Sequence, residues 1–118
     1  MAFLTDPQRR AAYMDAVGNG HLHDYVQFRL SDSAIRWIKA ELGITLAALR
    51  LQICDHIKTG GKIHEVKERR PEWSEHEYHY DLRFQIGGTD VYVETRLIAR
   101  IPFVPNQPSI LVVNIHAP

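Results

Sequence analysis

The chain has 118 residues, 45% of them hydrophobic and 24% charged, which fits one globular domain and excludes a disordered or fibrous chain. Its 14 Lys+Arg cancel 14 Asp+Glu, so any nucleic-acid contact must come from a local basic patch. One cysteine, Cys54, excludes an internal disulfide and a cysteine-based zinc knuckle. Within Leu51-Gln52-Ile53-Cys54 it reads as a buried thiol on a helix.

Residues Thr5 to Val17 predict a first helix, with Asp6 as cap, Pro7 in the first turn and Gly18-Asn19-Gly20 as the stop. Tyr25 to Leu30 alternates as a short strand with Val26, Phe28 and Leu30 on one face. Ser31 or Asp32 then caps a helix to about Leu42, closed by Gly43, with Ile35, Ile38 and Leu42 as its inward stripe. Thr45 caps the next helix, to about Lys58, with Leu46, Leu49, Ile53 and Ile57 inward and Gly60-Gly61 as the stop.

After Gly61 the hydrophobic period changes from about 3.6 to 2. Lys62 to Lys67 is a candidate strand, and the polar stretch Glu68 to Glu77, broken by Pro71, reads as a solvated mixed-charge loop. Three strands follow: Tyr78 to Ile86, Thr89 to about Ile101, and Ser109 to His116, the last two joined by the proline-rich loop Pro102 to Pro108. The expected architecture is α+β, with helices on one face of an antiparallel sheet of three to five strands. The whole of 1–118 forms a single domain: 1–24 a helical extension, 25–61 mainly helical, 62–118 the sheet.

Ile86-Gly87-Gly88-Thr89 is the strongest local signal, because two glycines between alternating runs specify a two-residue hairpin turn at positive φ. Its register sets Phe84 against Val91, Leu82 against Val93 and Tyr80 against Thr95 on a buried face. On the other face Arg83 lies against Tyr92, Asp81 against Glu94 and His79 against Arg96. If Leu111, Val113 and Ile115 join the core, Asn114 and His116 join that polar face.

A solvated sheet face is one reading of this collection. Yet two histidines, two arginines and a tyrosine are the side chains that bind phosphate and move protons, so a binding or catalytic face is the other. Asp81 against Glu94 is an unfavourable like-charge pair unless the neighbouring arginines neutralise it. His21 with His23 and His76 with His79 are loose imidazole pairs, and neither has a spacing that defines a metal site. Gly60-Gly61-Lys62 is too short for a phosphate loop, and no serine stands in a nucleophile elbow. No apolar run approaches the ~20 residues that cross a bilayer, and Met1 to Arg10 has no apolar signal core. The expectation is a soluble, cytoplasmic protein with no membrane partner.

Helices followed by a small antiparallel sheet, together with Val91-Tyr92-Val93-Glu94, Leu111-Val112-Val113-Asn114-Ile115-His116 and a helix ending at Gly60-Gly61 before Lys62, resemble the RelE-superfamily ribonuclease toxins. Within them the MqsR-type mRNA interferases are the more similar. The likeness covers residues 31–117. It implies a metal-independent endoribonuclease without cofactor, acting on single-stranded RNA and held by an antitoxin-like protein partner. Carried over, Tyr92 is the tyrosine near the scissile phosphate and His116 the basic residue of the last strand. His79 or His116 then serves as base or acid, Arg83 and Arg96 clamp the phosphate, and Lys62, His64 and Asn114 contact substrate. Glu94 stands where that family has a lysine, and the neutral net charge departs from its basic character. The alternative from a different class is a non-catalytic protein-interaction module, or an orphan structural domain, using the same face.

Overall fold

In the computed structural model, which describes residues 2–18, 26–98 and 109–118, Gly87 and Gly88 sit at φ 56° and 82°. Both values need glycine's freedom, and together they turn strand β4 (Tyr78–Ile86) directly into β5 (Thr89–Ile98). The register follows from that turn: Phe84 pairs with Val91, Leu82 with Val93, Tyr80 with Thr95, Arg83 with Tyr92 and Asp81 with Glu94.

Around this hairpin lie β1 (Ala2–Phe3), β2 (Val26–Phe28), β3 (His64–Lys67) and β6 (Ser109–His116). They form one six-stranded sheet in the order β1-β3-β4-β5-β6-β2. The expected three to five antiparallel strands are thus corrected twice. A two-residue edge strand at the N-terminus is too short to show a period. At the other edge β2 runs parallel to β6, held where Arg29 N–H donates to the Val112 carbonyl at 2.9 Å and Arg50 Nε donates to the Val26 carbonyl at 3.0 Å.

Helix α1 (Pro7–Gly18) begins where the Asp6 carboxylate accepts from the Arg9 N–H. Ser31 caps α2 (Asp32–Trp37), which widens into a π-helical turn (Ile38–Leu42) ended by Gly43 at φ 64°. Thr45 caps α3 (Leu46–Lys58). Buried Tyr13, Ala16, Ala34, Ile38, Leu49, Ile53 and Ile57 from these helices join Leu82, Val91, Val93, Ile110, Val112 and Ile115 from one sheet face in a single core. Cys54 is buried there too, and desolvation raises its thiol pKa. The Tyr13 hydroxyl meets Thr95 Oγ1 at 3.0 Å and so docks α1.

The inward stripes need correction at two positions. Ile35 and Leu46 are exposed, at 44% and 37%. In α2 the regular i, i+4 pair Ala34 and Ile38 faces the sheet in place of Ile35, and Leu46 stands at the open first position of α3.

The last strand departs from strict alternation. Between Glu94/Asn114 and Thr95/Val112 the register shifts, leaving Val113 as the extra residue of a β-bulge. Ile115 is in the core as expected, but beyond the bulge the core cluster takes Val112 and Ile110, while Val113 is half-buried and Leu111 is buried outside that cluster. The His21/His23 pair, the strand end at Ile101 and the loop Pro102 to Pro108 lie outside the described residues.

The bulge sets a direct comparison. Val112→Ala, at a fully buried site, is expected to cost about 2 kcal/mol from two lost methyl groups and a residual cavity. Val113→Ala, half-buried, is expected to cost less than half of that. Urea denaturation of the two variants decides it, and the reverse order would restore strict alternation.

Candidate functional site

The face of the sheet opposite the helices carries two groups of charged side chains, one sealed and one open. The sealed group starts from the like charges Asp81 and Glu94, which the hairpin register forces side by side. Glu94 is relieved by two arginines, with Oε2 2.5 Å from Arg70 Nη2 and 2.8 Å from Arg96 Nη2. The same arginines hold Glu68: Arg70 Nε at 3.0 Å and Arg96 Nη2 at 2.5 Å. Two carboxylates and two guanidiniums therefore close a balanced quartet. The short helical turn Pro71–Trp73 covers it, with the Trp73 ring 4.8 Å from the Arg96 guanidinium carbon.

Burial pushes the Glu68 carboxyl up, but the hydrogen bonds from Arg70 and the charge of Arg96 outweigh it and hold the group down at about 2. Arg70 is raised correspondingly by its bonds to Glu68 and Glu94.

This arrangement corrects two expectations. Arg96 has no exposed surface and both its charge partners are internal, so it is a structural cation and not a phosphate clamp. The stretch Glu68 to Glu77 is not simply a solvated loop, since Glu68 Oε1 also accepts from the Arg70 backbone N–H at 2.9 Å and its side chain is buried.

The open group is built on Asp81. Its carboxylate, 1% exposed, accepts from His79 Nδ1 at 2.8 Å and from the Tyr92 hydroxyl. Tyr92 lies between two neighbours on adjacent strands: His116 stacks on its ring at 4.8 Å and 25°, and the Arg83 guanidinium sits 5.3 Å from its centroid. Both neighbours are exposed. Burial first, and then the bond to Asp81, raise the Tyr92 phenol so that it keeps its proton at neutral pH. His116 Nδ1 donates to the Ala117 carbonyl at 2.6 Å, and His79 Nδ1 donates to a carboxylate. In both rings Nε2 is therefore the nitrogen available for proton transfer.

Of the remaining expected residues, His64 pairs with Asp81 in the ladder, and its ring lies 5.0 Å from that of Phe3, tilted by 34°. Burial and the Arg83 charge lower its pKa, and its Nδ1 is buried without a hydrogen-bond partner among the described residues. Asn114 pairs with Glu94. Lys62 is an exposed rim cation, 5.4 Å from the Phe3 ring. Expected residues His79, Arg83, Tyr92 and His116 thus come together, while Arg96 does not join them. Asp81 as the common acceptor, and Glu68, Arg70 and Trp73 as the seal, were missed as site components. The available signal was the like-charge pair Asp81 and Glu94 on one face, which demands further charge partners.

His79, Asp81 and Glu94 offer ligand atoms within 4.8 Å of one another. These donors fit a cation poorly, because Glu94 is shared by two guanidiniums and Asp81 already accepts two protons. An ion would have to sit beside Arg70 and Arg96.

No protein-family model matches the chain, and neither a curated protein nor a solved structure matches it. Among the described residues no helix is long and apolar enough to cross a membrane.

Removing Arg96 leaves two buried carboxylates sharing one arginine, so Arg96→Ala is expected to cost about 3–5 kcal/mol. Arg83→Ala, at an exposed position, is expected to cost under about 0.5 kcal/mol. Guanidinium denaturation separates these, and equal losses would contradict the division into sealed and open groups. The depressed Glu68 pKa fixes the sign in acid. Its stabilisation is complete above the ordinary value of 4.5 and is lost as pH falls from there to about 2. Denaturation midpoints measured across that window should fall, and Glu68→Gln should flatten the slope.

Proposed function

We propose that this face is the site of a metal-independent endoribonuclease of the toxin type, acting on single-stranded RNA. The observation that carries the reading is the row Arg83–Tyr92–His116, where a cation, a protonated phenol and a histidine stand side by side on three adjacent strands. His116 Nε2 takes the proton from a ribose 2′-hydroxyl, whose oxygen attacks the phosphorus as the P–O5′ bond breaks. Arg83 stabilises the charge that grows on the phosphorane. His79, oriented through Nδ1 by Asp81, returns a proton to the departing O5′. Tyr92, its hydroxyl donated to Asp81, holds the His116 ring in place by stacking. A base and an acid each contribute roughly 10²–10⁴-fold, which needs no cofactor. The resemblance to the mRNA interferases supports the same substrate, with Arg83 alone in place of the expected arginine pair.

A second reading, a protein-interaction module, is favoured by an apolar hollow of about 560 Å³ on the helical side, lined by Ile35, Ile38, Ile44 and Leu46.

Purified protein is expected to cleave single-stranded RNA in EDTA. His116→Ala and Arg83→Ala should each lower the rate by about 100-fold or more while both remain folded by circular dichroism. Tyr92→Phe should keep the fold and lose a smaller factor. Intact RNA with wild-type protein, together with growth arrest on expression, would transfer the function to the hollow and a protein target.

A further inference from the structure

His116 has a second neighbourhood besides the Tyr92 stack. A cavity of about 240 Å³ opens beside it at the end of β6, lined by Ser33, Ala34, Trp37, Asn114, Ile115 and His116. Its makeup is unlike the rest of the polar face. Trp37, Ala34 and Ile115 supply apolar walls, and Asn114 and Ser33 supply uncharged polar groups. No side-chain hydrogen bond among the described residues uses the Asn114 amide, although Asn114 stands in register with the fully engaged Glu94.

We infer that this cavity is a nucleobase subsite that takes adenine. Three features lead there. The volume accommodates a two-ring base, and the half-buried Trp37 offers an aromatic surface against which a base can pack. A carboxamide presents one acceptor and two donors, which match N6–H and N7 of adenine as a bidentate pair. Among the lining residues no arginine or carboxylate is present to favour the guanine edge. Because His116 lines both the cavity and the Tyr92 stack, an adenine held here puts its own ribose-phosphate next to the His116 ring. The inference deepens the ribonuclease reading by naming the base beside the scissile bond, but base binding can be measured without any cleavage.

The test titrates adenosine, guanosine, cytidine and uridine 5′-monophosphates into the folded chain and follows amide and indole shifts by nuclear magnetic resonance. Adenosine monophosphate is expected to shift Trp37, Ser33 and Asn114, and to bind about tenfold more tightly than the pyrimidine nucleotides. Asn114→Ala should weaken it by about tenfold, and Gln52→Ala, exposed on α3 and outside the cavity, should leave binding unchanged as a control. The same proteins are then given poly(A), poly(C) and poly(U), where wild type should prefer poly(A) and Asn114→Ala should lose the preference. Equal, Asn114-independent shifts for all four nucleotides, or none up to millimolar concentration, overturn the subsite. If RNA is nevertheless cleaved, the ribonuclease reading survives alone. Asn114-dependent adenosine monophosphate binding without RNA cleavage upholds the subsite and overturns the ribonuclease.

Discussion

Everything on the functional face depends on the register imposed by the Gly87-Gly88 turn. With both residues at positive φ, the hairpin has no freedom to slip, and each pair on β4 and β5 has an assigned side. The benefit is a core face of Leu82, Val91 and Val93 with no exposed surface. The cost is that Asp81 and Glu94 lie against each other on the opposite side, where two carboxylates repel. A slip of one residue would remove that contact only by turning one of the two charges, with the rest of its strand's polar face, into the core, which is far worse. The charged face has to be solved by additional partners, and each carboxylate recruits its own.

Those solutions divide the face into structure and chemistry. Glu94 draws in Arg96 from its own strand and Arg70 and Glu68 from the β3–β4 connection, and the Trp73 ring closes over them. Asp81 draws in His79 and Tyr92, leaving their other faces and atoms for His116, Arg83 and a substrate. Arg83 and Arg96 look equivalent in an alternating strand pattern. Their fates separate because residues 68–73 cover one row of the sheet and not the next.

Much of this was legible in the sequence because local chemistry decided it. The caps at Asp6 and Thr45, the α2 cap at one of two offered residues, the stop at Gly43, the strand Tyr78–Ile86 and the hairpin pairs from Tyr80/Thr95 down to the turn follow from short-range rules. What escaped depends on contacts distant along the chain. The strand at β2 was legible, but its parallel pairing with β6 was not, since it depends on β6 more than 80 residues away and is braced by Arg50, 24 residues away, at the Val26 carbonyl. The π turn and the Val113 bulge each insert one residue into a regular period, which composition cannot reveal. The candidate site was legible as a collection of types, His79, Tyr92, Arg83 and His116. Its hub was not, because an aspartate facing a glutamate reads as a liability until its donors are placed.

The bulge and the quartet act together on the substrate. A regular β6 that brought Ile110 and Val112 under the helices would turn Asn114 and His116 toward the helices too, since all four numbers share one parity. The extra residue reverses that parity, so β6 seals the core at Val112 and still presents His116 to Tyr92. The quartet meanwhile neutralises Glu68 and Glu94 internally. A chain of zero formal net charge then leaves two exposed cations, Arg83 and Lys62, on the open side of the face, with Asp81 buried and Asp90 exposed at the hairpin end. A polyanion responds to that local field rather than to the total. Of the four acids on this face among the described residues, two are cancelled beneath Trp73, Asp81 is bound to the phenol and imidazole on which the proposed chemistry relies, and Asp90 alone is exposed, at the hairpin end beside Gln85.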